Sequence, residues 1–168
     1  MIWMNASMHN DDHNMGAILE TKEKKVLVAL NDSMSSKAVI EFIIRMPLCP
    51  EEWHIYLLHI LRKSSASEEL MGRKFTAEQP ERMVEMLRKA KMNLIRNGFR
   101  EDRVSVQMAE HEYPTVTDGI IDQHQKYNYD LVVIGRKSMS KAEEFVMGDI
   151  SIKLIRLLKG TAVLVVTS

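Results

Sequence analysis

Five short apolar runs, each separated from the next by a stretch with helical spacing, constrain this chain more than any other feature. The first is Val26-Leu27-Val28-Ala29-Leu30, and others fall at 53–61, 131–134 and 162–166. A continuous apolar run of strand length is what a strand covered on both faces requires, so the pattern predicts a parallel sheet. The run at 104–108, VSVQM, instead alternates, which predicts a strand with one face less buried, as at a sheet edge.

The intervening segments carry helix signals. Ser33 or Ser35 is placed to cap a helix that directs Ala38, Val39, Phe42 and Ile43 toward the core and stops before Pro47. After a Ser- and Glu-containing loop at 63–75, Thr76 and Gln79 form a capping box. Met83, Leu87, Ala90 and Leu94 then recur until Gly98 supplies a left-handed stop, and the methionines of this face read as core filler. A third helix is expected to open at Pro114 and run through Tyr127, and a fourth to span 148–158. The order β-α-β-α-β-α-β-α-β predicts an α/β fold, a doubly wound five-stranded parallel sheet with right-handed crossovers. Ligands of such sheets bind outside the carboxyl ends of the strands, which points to 30–33, 59–61, 110–114 and 135–151.

With 168 residues and 45% hydrophobic content, the chain suits a single core. The expected organisation is one domain over 24–168 behind a polar leader, 1–23, which offers too little apolar area to offset its ordering and is expected to be dispensable for folding. Its His9-Asn10-Asp11-Asp12-His13 side chains are metal-capable, but a solvated tail is the plainer reading. Lys plus Arg balance Asp plus Glu at 23 each, so no summed field favours nucleic acid or an anionic membrane as partner. No apolar run approaches the roughly 20 residues of a membrane span, and the N-terminus lacks the pattern of a secretory signal. The only cysteine, Cys49, excludes an intramolecular disulfide and fits a reducing compartment. A cytoplasmic location is expected.

The segment VVIGRKSMSKAEEFVMGDISIKLIRLLKGTAVLVV resembles the C-terminal signature of the universal stress protein family, which reads Gly, two residues, Gly, nine residues, then Gly followed by Ser or Thr. Gly135, Ser138, Gly148 and Asp149 fall at those positions, with Ser151 two residues further on. The opening VLVALNDSMSSKAVIEF and the later LLHIL are also similar to the family, with Asn31 where an acidic residue usually follows the strand and Asp32 beside it. The resemblance covers about 24–168. It implies a Rossmann-like sheet of the adenine nucleotide alpha hydrolase-like kind with order 3-2-1-4-5, and a homodimer along the last strand, 162–166. It also implies ATP or another adenine nucleotide at the carboxyl edge of the sheet. Carried over by position, Asn31 faces the base or ribose and Ile60 lines the adenine slot, while Gly135, Ser138, Gly148, Asp149, Ile150 and Ser151 surround ribose and phosphates.

The substitutions in that signature have chemical consequences. Glycines let loop N–H groups close on an anion at a helix start, and Gly135 and Gly148 retain that ability. Ser138 adds a Cβ, which costs energy if its backbone needs a positive φ. Asp149 puts a carboxylate where the family offers a neutral hydroxyl. At a helix start it satisfies the free N–H groups itself, worth about 0.3–1 kcal/mol to the ligand-free state. Plainer readings stand beside these: Gly135 as strand terminator, Gly148 as turn residue, His59 as a hydrogen-bonded core histidine, and Lys137, Lys141, Glu143 and Glu144 as a solvated loop face.

Walker A and dinucleotide fingerprints are absent from the sequence, and no nucleophile-base-orienter arrangement, paired metal carboxylates or catalytic motif rises above chance, so no residue stands out as catalytic. A receiver-like phosphorylation switch is disfavoured, because it needs a lysine after the fifth strand, where Thr167 and Ser168 stand. The expectation is a dimeric stress-response or signalling module, not an enzyme, acting with an unknown protein partner and binding nucleotide weakly or not at all. The alternative is an ATP-binding member with slow hydrolysis, in which Mg²⁺ bridges Asp149 and the phosphates.

Overall fold

The computed structural model describes residues 23–46, 51–63, 80–138 and 150–168. Within them the chain runs β1 (Lys24–Ala29), α1 (Met34–Arg45), β2 (Trp53–His59), α2 (Pro80–Arg96), β3 (Val104–Met108), α3 (Val116–Tyr127), β4 (Leu131–Arg136), α4 (Ile150–Leu157) and β5 (Ala162–Thr167). The strands form one five-stranded sheet in the order β3-β2-β1-β4-β5. Every pairing is parallel. This is the doubly wound α/β sheet expected from the sequence, and the alternating strand, β3, lies at an edge.

The period of two along each strand sorts the core into two layers. Val28 lies level with Leu57 and Val133, and this face packs Val39, Ile40 and Ile43 of α1 with Leu87 and Leu94 of α2. Leu27 lies level with Val132, and this opposite face packs Ile120 of α3 and Leu154 of α4. Helices therefore cover both faces, which is why the middles of the central strands, 26–29, 55–58 and 131–134, are continuous apolar runs.

The local signals hold with some shifts. Ser33 is the N-cap of α1, accepting from the Ser36 N–H at 3.3 Å. The buried stripe of α1 is Ser36, Val39, Ile40 and Ile43, and Ala38 and Phe42 are only half-buried. The helix is turned so that the Ser36 hydroxyl reaches Asn31, and Ile40 comes to the core with it. Gly98 has φ +97°, the left-handed stop expected after α2. The third helix does not open at Pro114: Thr115 is its N-cap, accepting from the Asp118 N–H at 3.2 Å, so Pro114 precedes the cap. Asn128, at φ 51°, ends it in the left-handed conformation by donating its N–H to the His124 carbonyl at 2.8 Å. Pro80 occupies the first position of α2, where its missing N–H costs nothing, whereas the capping box at Thr76 and Gln79 lies outside the described residues. Residues 1–22 of the leader and Cys49 also lie outside them. Among the described residues, no helix is long and apolar enough to cross a membrane.

Candidate functional site

The chain leaves β1 toward β2 and β3, then returns on the other side of β1 to build β4 and β5. The winding reverses between β1 and β4, so the crevice sits at their carboxyl ends. Its β1 side is a compact polar turn. Asn31 Oδ1 accepts from Ser33 Oγ at 2.6 Å and Ser36 Oγ at 2.8 Å, and the Asn31 N–H donates to Ser36 Oγ at 2.9 Å. One asparagine thus caps the strand and orders the first turn of α1, with its amide exposed at the crevice. Behind it His59 is buried, its Nδ1 lying 2.8 Å from the Leu30 carbonyl oxygen, which matches the core-histidine reading.

The β4 side is set by close packing. Gly135 lies inside β4, and a Cβ there would stand 2.7 Å from the Ser35 carbonyl oxygen and 2.8 Å from its carbon. Glycine at this position lets the first turn of α1 rest directly on the strand. A second glycine works the same way on the opposite face: a Cβ on Gly119 of α3 would stand 2.5 Å from Ile60 Cγ2 and 3.0 Å from Tyr113 Cδ2. Gly119 was not singled out from the sequence, although a lone glycine inside a helical period is the available signal. Tyr113 is buried beside it and donates its hydroxyl to Asp122, which Lys126 also approaches at 2.9 Å. The hydrogen bond from Tyr113, with Lys126 adding to it, holds the Asp122 carboxyl below the usual carboxylate range. Burial first, then the Asp122 contact, pushes the Tyr113 phenol up.

These elements enclose a small cavity of about 100 Å³ that brings Asn31, Ile60, Gly135 and Ile150 together, with Ser36 and His59 in its wall. Ser151 is buried in α4 and does not line that cavity. Ser138 is exposed, and its N–H donates to the Ser168 carbonyl at 3.3 Å, extending the pairing of β4 with β5. Among the described non-glycine residues only Asn128 has a positive φ, so the Ser138 Cβ brings no backbone strain. Gly148 and Asp149 lie outside the described residues. A larger cavity of about 520 Å³ opens between α1 and α2 on the other side of Asn31, crossed by an ion pair between Asp32 and Arg82.

Solved structures share this fold. A universal stress protein in complex with cAMP superposes with a TM-score of 0.60 at 16% identity, covering 85% of this chain and 96% of its own. Universal stress protein UspA from Lactobacillus plantarum gives 0.61 at 11% identity, with 86% and 97% coverage. A universal stress protein family protein from Arabidopsis thaliana with AMP bound gives 0.56 at 16%, with 86% and 91% coverage. The search of curated proteins returns no match. The sequence profile of the universal stress protein family matches residues 23–167, most of the sequence, and the protein therefore belongs to that family.

Proposed function

We propose that this universal stress protein is a dimeric stress-response module whose adenine-nucleotide pocket is degenerate, and that it works through protein contacts. The observation that carries this reading is the cavity that Asn31, Ile60, Gly135 and Ile150 line among the described residues, about 100 Å³, against roughly 300–1,000 Å³ for pockets that enclose a small ligand. The Asn31 side-chain oxygen already accepts two serine hydroxyls, so a ribose hydroxyl that donates to it competes with them. Asp149, which precedes Ile150 in the sequence, adds a carboxylate to the stretch where the resemblance puts phosphates. The structural neighbours holding cAMP and AMP support an adenine nucleotide as the ligand class, which keeps open the competing reading of an ATP-binding member with a metal bridging Asp149 and the phosphates. Protein purified without added nucleotide separates the two. The degenerate pocket gives no adenine absorbance and no nucleotide by mass spectrometry, and retained ATP, ADP or AMP overturns it.

The proposed dimer is built on β5. This strand pairs only with β4, its Val163, Leu164, Val165 and Val166 are half-buried, and it carries neither proline nor charge to blunt its outer edge. Ile152 and Ile155 of the neighbouring α4 are exposed, Ile155 at 61%, and widen the apolar surface a second copy would cover. Light scattering at micromolar concentration is expected to give the dimer mass, and Val165→Lys to shift it toward monomer with the helix and sheet signals of circular dichroism retained. A clean monomer mass for the unmodified chain removes the dimer.

A further inference from the structure

At the amino ends of the strands, opposite the nucleotide crevice, three side chains from distant parts of the sequence meet. Glu23 immediately precedes β1, His54 is the second residue of β2, and Ser105 is the second of β3. His54 Nε2 lies 2.7 Å from Ser105 Oγ, and its Nδ1 lies 3.3 Å from Glu23 Oε1. With the proton on Nδ1, that nitrogen donates to the carboxylate while Nε2 accepts the serine hydroxyl, the order in which a nucleophile, a base and an orienting acid are used. The ring is held in place by stacking on Tyr56, with centroids 4.4 Å apart and planes 19° from parallel. Glu23 is steadied by an ion pair with Arg103.

The group is reachable, since Ser105 is only half-buried and the His54 side chain keeps 15% of its surface. Among the described residues, Ser105 also stands on an edge strand paired only with β2. The outer edge of such a strand presents N–H groups without ladder partners, the kind of donor that stabilises a developing oxyanion.

We infer that Ser105, His54 and Glu23 form a nucleophile, a general base and a positioning carboxylate that make Ser105 acylatable by small activated esters. Ser105 Oγ bonds to the ester carbonyl carbon as its proton passes to His54 Nε2. The carbon bond to the leaving alcohol oxygen breaks, and Nε2 returns the proton to it. Water then repeats the sequence on the acyl-serine, releasing the carboxylic acid and restoring Ser105.

The test uses the full chain with a fluorophosphonate probe and with p-nitrophenyl acetate. Peptide mass spectrometry is expected to place a single phosphonyl group on Ser105, and Ser105→Ala to abolish both labelling and ester turnover without lowering the melting temperature. His54→Gln should slow labelling by about 100-fold, the lower range of a general-base contribution. The charged or titratable groups facing His54 are Glu23, Arg103 behind it and Tyr56. Glu23→Gln should slow the reaction about 10-fold. Glu23→Asp should restore part of the rate. If His54 merely straps β3 to the approach of β1, Ser105 stays unlabelled or reacts equally fast in His54→Gln, and either result overturns the inference.

Discussion

Gly135→Val is expected to destabilise the fold by about 3 kcal/mol, the upper end of overpacking costs, or roughly 10 °C in melting temperature for a domain of this size. The reason is the rigidity of what the new side chain meets. A Cβ at this position falls 2.7 Å from the Ser35 carbonyl oxygen and 2.8 Å from its carbon, both backbone atoms that no rotamer change can clear. The first turn of α1 cannot lift freely, because Ser33 and Ser36 bind it to Asn31 and so to the end of β1. Nor can β4 drop, since it is hydrogen-bonded between β1 and β5. Gly135→Ala should cost less than Val, and Gly160→Ala is the useful control. Gly160 has φ +69° but nothing within 4 Å, so its cost is the left-handed backbone alone, about 1–2 kcal/mol. Urea denaturation of the three variants checks the order. A Gly135→Val midpoint equal to that of the unmodified protein would mean that α1 yields, and the close approach would lose its structural weight.

The sheet was legible because each buried strand carries a continuous apolar run, and β3 was legible as an edge strand because its residues alternate. That distinction follows from covering helices on both faces, and it survives small errors in helix phase. Phase itself was harder to read: Ala38 and Phe42 lie on nearly the stripe that α1 buries, and only the Ser36 to Asn31 hydrogen bond turns the helix to favour Ile40. Pro114 and Thr115 compete as helix starters, and the hydroxyl that meets the Asp118 N–H wins. In the crevice, Asn31, Ile60, Gly135 and Ile150 line one cavity. The physical reason for Gly135, contact with Ser35 a hundred positions earlier, leaves no mark in local spacing. The same holds for Glu23, His54 and Ser105, which only the register of β1, β2 and β3 makes neighbours.

Without Mg²⁺, ATP is expected to bind this protein worse than millimolar, and Asp149→Ser combined with Ser138→Gly to strengthen binding at least tenfold. A carboxylate about 4 Å from a phosphate charge costs roughly 1 kcal/mol at the dielectric of water and about 4 at an effective value of 20, which spans about fivefold to a thousandfold in affinity. The helix start offers the anion about 0.3–1 kcal/mol in return, so the repulsion wins. The two substitutions should contribute unequally. Ser138 has no positive φ and its N–H is already bonded to the Ser168 carbonyl, so Ser138→Gly alone relieves no strain and frees no donor. Asp149→Ser alone should therefore carry most of the gain, and the double variant should exceed it only slightly. Calorimetry on the unmodified chain and the variants, with and without Mg²⁺, decides the matter. Tight binding that appears only with Mg²⁺, and is lost in Asp149→Ser, would move the protein to the metal-bridged ATP reading. Tight metal-free binding by the unmodified chain would place the Asp149 carboxylate away from the phosphates and end the degenerate-pocket reading.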